Sequence, residues 1–167
     1  MSFFNCDRLQ AYQDRPYKMS FIHISCPHMY VTVLEALELK KGQSFLNVGS
    51  GSGYLSCLVS YITGVTGLNH GIDANAEVVE HSRSCINLWL EKLQKKNPKA
   101  QKDPTSMTQD RISIVHGNCF DVDVTTSTNF CKYDRIYVGA GCPDMLKSFF
   151  YEMLADDGIM IVPLNGE

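Results

Sequence analysis

Apolar residues follow two spacings along the chain, and the two spacings predict alternating strands and helices. Short continuous apolar runs predict five strands, at about residues 44–48, 67–72, 111–115, 133–138 and 159–162. Apolar residues at three- and four-residue spacing predict helices at about residues 53–62, 76–93 and 143–154. One more helix is predicted to start near Ser25-Cys26-Pro27 and to reach about Leu39, because proline is favoured in a first helical turn.

This alternation predicts an α/β fold with a mostly parallel sheet and helices on both faces, because parallel strands need crossover connections. The expected strand order is third, second, first, fourth, fifth, which places a ligand outside the carboxyl ends of the first and fourth strands. A single domain is expected over residues 1–167. Residues 1–24 are predicted to be irregular, and residues 94–110, with two prolines and several lysines, to form a long polar loop.

Composition sets limits on partners and location. The formal net charge is −3, which gives no broad attraction to nucleic acid, and no apolar run approaches the length of a membrane helix. Neither a nucleic acid nor a membrane is therefore predicted as a partner. The seven cysteines are odd in number and include no Cys-x-x-Cys, so they suggest neither a disulfide framework nor a zinc site. This cysteine usage favours a reducing, cytoplasmic location.

A glycine-rich turn follows the first predicted strand and carries the main chemical signal. Gly49, Gly51 and Gly53 permit positive φ and close approach of a ligand, and the next helix directs unpaired N–H groups toward it. Asp73 ends the second predicted strand, where a carboxylate suits the two hydroxyls of a ribose. Together they predict a nucleoside-cofactor site; the alternative is a glycine-rich turn without a ligand.

The glycine spacing narrows the cofactor. A dinucleotide fingerprint needs a third glycine where Tyr54 or Ser56 stands, and a P-loop needs a Gly-Lys-Ser/Thr sequence that the chain lacks. The remaining spacing, Gly-x-Gly-x-Gly, is common in methyltransferases that use S-adenosyl-L-methionine (AdoMet). It therefore predicts a Rossmann-like AdoMet-dependent methyltransferase fold.

Four motifs resemble the protein-L-isoaspartate O-methyltransferase family. Ile24–Met29, read as Ile-Ser-Cys-Pro-His-Met, is similar to the family's Ile-Ser-Ala-Pro-His-Met, and residues 46–53 resemble its AdoMet loop. Gly71-Ile72-Asp73 and Val138-Gly139-Ala140 match two further motifs. The matches span residues 5–164, and the Ser-x-Pro-His element is the most specific of them.

A narrower resemblance is to the isoaspartate methyltransferase domain-containing proteins, which usually carry a C-terminal SOCS box. It rests on Phe45-Leu46-Asn47, Asn69-His70-Gly71-Ile72, Gly117-Asn118-Cys119 and residues 133–137. That subgroup is thought to act as substrate receptors of ubiquitin ligases with weak or undetected methyl transfer. It implies an alternative function as a binding domain, with ubiquitin-ligase components as partners if a SOCS box follows.

The family resemblance implies an enzyme that methylates the α-carboxylate of L-isoaspartyl residues in damaged proteins. In this protein-repair reaction AdoMet is the cofactor, and S-adenosyl-L-homocysteine (AdoHcy) is its product. Isoaspartyl-containing proteins or peptides are the implied partners. The substrate carboxylate is already ionised at neutral pH, so no general base is required, and catalysis would come chiefly from alignment of the reacting atoms.

The resemblance also assigns roles to single residues. Ser25 is the candidate catalytic residue, because its hydroxyl can hydrogen-bond the substrate carboxylate; a helix N-cap is the alternative. His28, Gly139 and Ala140 are assigned to the substrate, with a structural histidine and a plain strand-to-helix turn as alternatives. The residues assigned to the cofactor are Ile24, Gly49, Ser50, Gly51, Ser52, Gly53, Asp73, Ala74, Asn118 and Cys119.

Three departures from the family pattern bear on activity. Asn47 and Asn118 stand where the family enzymes have Asp. Loss of a charge-assisted hydrogen bond at Asn118 is expected to weaken AdoMet binding by roughly 1 kcal/mol without abolishing it. Family enzymes also continue past the motif matched by Ile161–Leu164, so the resemblance implies that the fold is truncated at its C-terminal strands. All three would lower the methyltransferase activity.

Overall fold

A parallel five-stranded sheet forms the centre of the protein. The computed structural model describes residues 10–96, 111–122, 131–142 and 147–163. Seven strands occur in these ranges: β1 (Tyr17–Met19), β2 (Ile22–Ile24), β3 (Phe45–Val48), β4 (Asn69–Asp73), β5 (Ile112–His116), β6 (Tyr133–Val138) and β7 (Leu154–Ile161). The large sheet has the order β5-β4-β3-β6-β7 with every pair parallel, which confirms the predicted order.

Helices cover both faces of this sheet, as predicted. The four helices of the described ranges are α1 (Pro27–Ala36), α2 (Tyr54–Thr63), α3 (Ala76–Lys96) and α4 (Lys147–Met153). On one face, α1 and α2 pack on β3 and β6 through Val33, Leu55 and Phe45, while α3 packs on β5 through Ile86 and Ile114. On the other face, α4 buries Phe150 and Met153 against β3, β4 and β6.

The prediction that residues 1–24 are irregular is wrong over its second half. A 3₁₀ turn forms at Gln10–Tyr12, and β1 and β2 pair as an antiparallel hairpin. Ile22 and Ile24 are buried with Val78 of α3, while His23 between them is exposed. The alternation is that of a half-buried strand, but three residues are too few to distinguish it from an irregular segment in the sequence.

Other element boundaries also differ from the predictions. Helix α1 ends at Ala36 rather than near Leu39, and α3 continues to Lys96, so the start of the expected 94–110 loop is helical. The rest of that loop lies outside the described residues. Strand β7 begins at Leu154, so Asp157 and Gly158 lie within a strand and not in a turn before it. An irregular register against β6 accommodates this stretch, with Asp157 at φ +60°.

The fold brings four strand ends to one edge of the sheet. Strand β3 pairs in parallel with both β4 and β6, and β4 pairs in parallel with β5, so their carboxyl ends lie side by side. The glycine-rich turn leaves β3 at this edge and leads into α2. Within the described residues, no helix combines the length and apolar character that crossing a bilayer requires.

Candidate functional site

A cavity of about 440 Å³ lies at the carboxyl edge of the sheet. This volume is within the usual range of small-molecule sites, roughly 300–1,000 Å³. We call it the main cavity. Its walls are the glycine-rich turn, the segments after β4, β5 and β6, and the β1–β2 hairpin: Phe21, His23, Val48, Gly49, Gly51, Ile72, Asp73, Ala74, Asn75, Val78, Gly117, Asn118, Cys119, Phe120, Val138, Gly139, Ala140, Gly141, Cys142 and Phe150.

The glycine-rich turn has the backbone that its sequence predicts. Gly49, Gly51 and Gly53 have φ values of +71°, +56° and +77°, in the left-handed region that favours glycine. A β-carbon on Gly53 would lie 2.9 Å from Ile86, so this glycine allows the turn to pack on α3. A β-carbon on Gly51 would meet nothing closer than 3.7 Å, because this position borders the main cavity.

Asp73 fixes the turn and borders the same cavity. Its Oδ2 accepts a hydrogen bond from the Gly51 N–H at 2.9 Å, and its Oδ1 accepts one from the Asn75 N–H at 3.0 Å. A carboxylate oxygen can accept more than one hydrogen bond, so both oxygens keep capacity for another donor. The position suits a group with two adjacent hydroxyls, as the sequence predicts for a ribose.

The segment after β5 forms a more apolar wall. The Asn118 Oδ1 accepts a hydrogen bond from the Phe120 N–H at 3.2 Å. The centroid of the Phe120 ring lies 5.2 Å from that of Phe149 and 5.8 Å from that of Phe150. Burial raises the pKa of Cys119, so its thiol stays neutral at this wall. An aromatic cluster with an adjacent carboxamide can hold a flat heteroaromatic ring.

A second, smaller cavity of about 60 Å³ adjoins the main one, and we call it the serine cavity. His23, Gly49, Gly51 and Gly139 border both cavities. The remaining residues that line the serine cavity are Ser25, Tyr30, Asn47, Ser50, Ser52, Leu55 and Tyr137. The space suffices for a small polar group.

Two buried acceptors in the serine cavity lack a partner. Asn47 is 1% exposed and Ser50 6% exposed, yet neither Asn47 Oδ1 nor Ser50 Oγ has a hydrogen-bond partner in the described protein. An unsatisfied buried polar atom costs roughly 1–3 kcal/mol, so such atoms are rarely left without a function. Both atoms are shielded from solvent, so a ligand group with N–H donors would satisfy them once their side chains turn toward the cavity. The residues therefore fit the amino-acid end of AdoMet.

Ser25 lies in the wall of this cavity and is not the helix cap. The N-cap of α1 is Cys26, with Pro27 in the first turn. The Ser25 N–H donates a hydrogen bond to the Tyr30 hydroxyl at 3.1 Å. Ser25 thus precedes the helix and borders a polar space next to the main cavity, where its hydroxyl can meet a ligand.

Three of the residues that the sequence assigned to the site line neither cavity. Ile24 is fully buried in the cluster with Ile22 and Val78, and Gly53 packs on α3. His28 is exposed, and its N–H donates to Asp14 Oδ1 at 2.9 Å. The assigned residues that the structure does bring to the two cavities are Ser25, Gly49, Ser50, Gly51, Ser52, Asp73, Ala74, Asn118, Cys119, Gly139 and Ala140.

Sequence reasoning missed several lining residues, chiefly because it missed the hairpin. Phe21 and His23 reach the main cavity from the β1–β2 hairpin, and Phe120 reaches it from the turn after β5. Tyr30 lies on α1, in the turn that follows Pro27, and lines the serine cavity. The sequence signal that could have pointed to Tyr30 is its position five residues after Ser25.

Comparisons with known proteins agree on one family. The family model "Protein-L-isoaspartate(D-aspartate) O-methyltransferase (PCMT)" matches residues 2–167. The chain is 30% identical over 156 residues to the protein-L-isoaspartate O-methyltransferase of Methanococcus maripaludis, a match that covers 93% of this chain and 63% of that protein. It is 29% identical over 165 residues to protein-L-isoaspartate O-methyltransferase 1 of Arabidopsis thaliana, covering 97% of this chain and 64% of that protein.

A solved structure supports the same assignment. The protein-L-isoaspartate O-methyltransferase of Plasmodium falciparum, determined in complex with AdoHcy, matches with a TM-score of 0.71 and 28% identity. The match covers 93% of this chain and 68% of that one. The Rossmann-like methyltransferase fold predicted from the sequence is therefore confirmed. The chain spans 63% and 64% of the length of the two curated relatives.

Proposed function

Because the chain belongs to the protein-L-isoaspartate(D-aspartate) O-methyltransferase family, we propose that it transfers a methyl group from AdoMet to the α-carboxylate of L-isoaspartyl residues in proteins. The observation that carries this proposal is the contact between two cavities of different character. The main cavity suits a nucleoside, and the serine cavity, which shares Gly49, Gly51 and Gly139 with it, offers a hydroxyl for a carboxylate.

Residues of both cavities define how the cofactor would be held, with the nucleoside in the main cavity and the methionine end reaching toward the serine cavity. Asp73 would accept the ribose hydroxyls, and Phe120 and Asn118 would flank the adenine. The glycine-rich turn and the unpaired Oγ of Ser50 would hold the methionine end. AdoMet supplies an electrophilic methyl group carried on a sulfonium.

The residues around the serine cavity define how the substrate would be oriented. The Ser25 hydroxyl would donate a hydrogen bond to one carboxylate oxygen and leave the other free to react. The Gly139 N–H already donates to the Val48 carbonyl at 2.7 Å, so the Ala140 N–H, at the wall of the main cavity, would contact the isoaspartyl residue. No base is needed, because the carboxylate is ionised at neutral pH.

The test is transfer of labelled methyl from AdoMet to an isoaspartyl peptide, with the matching aspartyl peptide as the control substrate. We expect a base-labile methyl ester on the isoaspartyl peptide alone. Ser25→Ala should lower the rate by roughly 10- to 100-fold through lost alignment and leave AdoHcy affinity within about twofold. Ser148→Ala, at an exposed position of α4, is the matched control and should match the wild type.

Two results would contradict the proposed reaction. One is equal labelling of the two peptides, which would remove the claimed selectivity. The other is a Ser25→Ala variant that transfers methyl at the wild-type rate.

A second candidate function has its own support. Asn47 and Asn118 supply neutral carboxamides where the resemblance implies acids, and the Asn47 carboxamide oxygen is buried without a partner. These features favour a domain that binds AdoMet and isoaspartyl protein with little turnover. Under this proposal the chain resembles the SOCS-box subgroup, acts in the cytoplasm, and delivers isoaspartyl proteins to ubiquitin-ligase components. Binding of isoaspartyl peptide and AdoHcy without any base-labile methyl product would select this function over the first.

A further inference from the structure

Tyr30 connects the serine cavity to the packing of α1. Its hydroxyl accepts a hydrogen bond from the Ser25 N–H at 3.1 Å, and the residue itself lines the cavity. Its ring lies edge-on to that of Tyr54, with centroids 5.3 Å apart. The same ring packs on the hairpin cluster that contains Ile22 and Ile24. Tyr30 is therefore held firmly while its hydroxyl remains at the wall of the site.

The hydroxyl of Tyr30 lies beside Ser25 at the wall of the serine cavity. Burial raises the pKa of Tyr30, so the phenol stays protonated at neutral pH. The phenol oxygen accepts from the Ser25 N–H, and hydrogen bonding from Ser25 acts in the opposite direction on that pKa. The N–H contact uses a lone pair of the phenol oxygen, so the phenol proton can be donated to the neighbouring Ser25 Oγ.

We propose that Tyr30 is a positioning residue that orients the Ser25 hydroxyl toward the isoaspartyl carboxylate. When the carboxylate enters, the Ser25 hydroxyl donates to it, and the Tyr30 hydroxyl donates in turn to Ser25 Oγ. Tyr30 then donates to Ser25 and Ser25 donates to the carboxylate, so the first hydrogen bond polarises the second. This inference rests on the proposed function, because it assigns a role to Tyr30 only if Ser25 meets a carboxylate.

A purely structural role for Tyr30 would give a different result when its hydroxyl is removed. If the ring only packs between α1, α2 and the hairpin, removal of the hydroxyl leaves the ring contacts in place and has no effect that depends on Ser25. If the hydroxyl acts through the Ser25 hydroxyl, its removal weakens peptide binding only while that hydroxyl is present, since the lost contact with the residue-25 N–H is common to both backgrounds. A double-mutant cycle separates the two possibilities, because residues that act through one another are not additive.

The experiment measures binding of an isoaspartyl peptide to the chain saturated with AdoHcy, so that the result does not depend on turnover. Tyr30→Phe should weaken peptide binding by about fivefold, the usual effect of one hydrogen bond. In a Ser25→Ala background the same substitution should change the peptide affinity by less than about twofold. AdoHcy affinity should stay within about twofold of the wild type in all variants.

The matched control is Tyr54→Phe, which removes a hydroxyl from the ring packed against Tyr30 but does not line the serine cavity. It should bind the peptide as the wild type does. In rate measurements on a chain that turns over, Tyr30→Phe should raise the KM for the peptide by about fivefold and leave the KM for AdoMet unchanged.

The possible failures can be told apart. Wild-type peptide affinity in Tyr30→Phe, or the same loss with and without the Ser25 hydroxyl, would overturn the role of Tyr30 and leave the proposed function standing. A wild-type chain that binds AdoHcy but no isoaspartyl peptide would overturn the proposed function and, with it, this inference.

Discussion

At the scale of single residues, one carboxylate carries the charge of the site. Among the described residues that line either cavity, Asp73 is the only acidic one. Asn47 and Asn118 contribute neutral carboxamides, so the attraction between the protein and a cationic cofactor depends on Asp73 more than on any other side chain. Its two backbone hydrogen bonds also tie the glycine-rich turn to the end of β4.

Asp73→Asn should therefore weaken AdoMet binding by about tenfold or more, since a hydrogen bond to a charged group contributes roughly 1.5–3 kcal/mol. The carboxamide also has one oxygen in place of two, so it cannot accept from Gly51, Asn75 and both ribose hydroxyls. Calorimetric titration with AdoMet measures the change. Asp156→Asn, at an exposed position of β7, serves as the control and should bind like the wild type. Equal affinity in Asp73→Asn and the wild type would exclude Asp73 as the ribose acceptor.

The position of Asp73 and the backbone of the glycine-rich turn were predictable because their signal is local: an apolar strand, a turn and a carboxylate at the next strand end. Ser25 was predictable by resemblance to a motif. Tyr30 and His23 were not, because their importance depends on which residues of other elements they meet. His28 shows the reverse case, since the motif that includes it places its side chain at an exposed position away from both cavities.

At the scale of elements, two glycines of the turn between β3 and α2 meet different structural requirements. Gly51 and Gly53 both have positive φ, but their surroundings differ. Gly51 borders the cavities and has open space where a β-carbon would lie, whereas Gly53 is the N-cap of α2 and packs on Ile86. Gly51 thus leaves room at the edge of the cavities, whereas Gly53 allows the helix to pack.

Alanine substitutions should therefore have different consequences at the two positions. Gly53→Ala should lower the free energy of unfolding by roughly 1–3 kcal/mol more than Gly51→Ala, because it adds overpacking against Ile86 to a similar backbone strain. Gly51→Ala should lose more AdoHcy affinity, since its new methyl group borders the cavity. Urea unfolding measures the first effect and calorimetry the second. Equal losses of unfolding free energy in the two variants would contradict the packing role of Gly53.

At the scale of the whole molecule, the order of the sheet follows from the sequence, whereas the walls around the site do not. Alternating strands and helices with right-handed crossovers leave few arrangements, and β5-β4-β3-β6-β7 is the expected one. The β1–β2 hairpin escaped prediction because its strands are three residues long and are stabilised by contact with α3, not by their own sequence. That hairpin supplies Phe21 and His23, and it leads directly to Ser25.

The two adjoining cavities would place a methyl donor beside the Ser25 hydroxyl. A crystal structure of the chain with bound AdoHcy would show whether they do. We expect ribose hydroxyls within hydrogen-bond distance of Asp73, a base beside Phe120, and a sulfur atom at the opening between the main cavity and the serine cavity. AdoHcy bound elsewhere, or bound with its sulfur turned away from Ser25, would show that the two cavities do not form one methyl-transfer site.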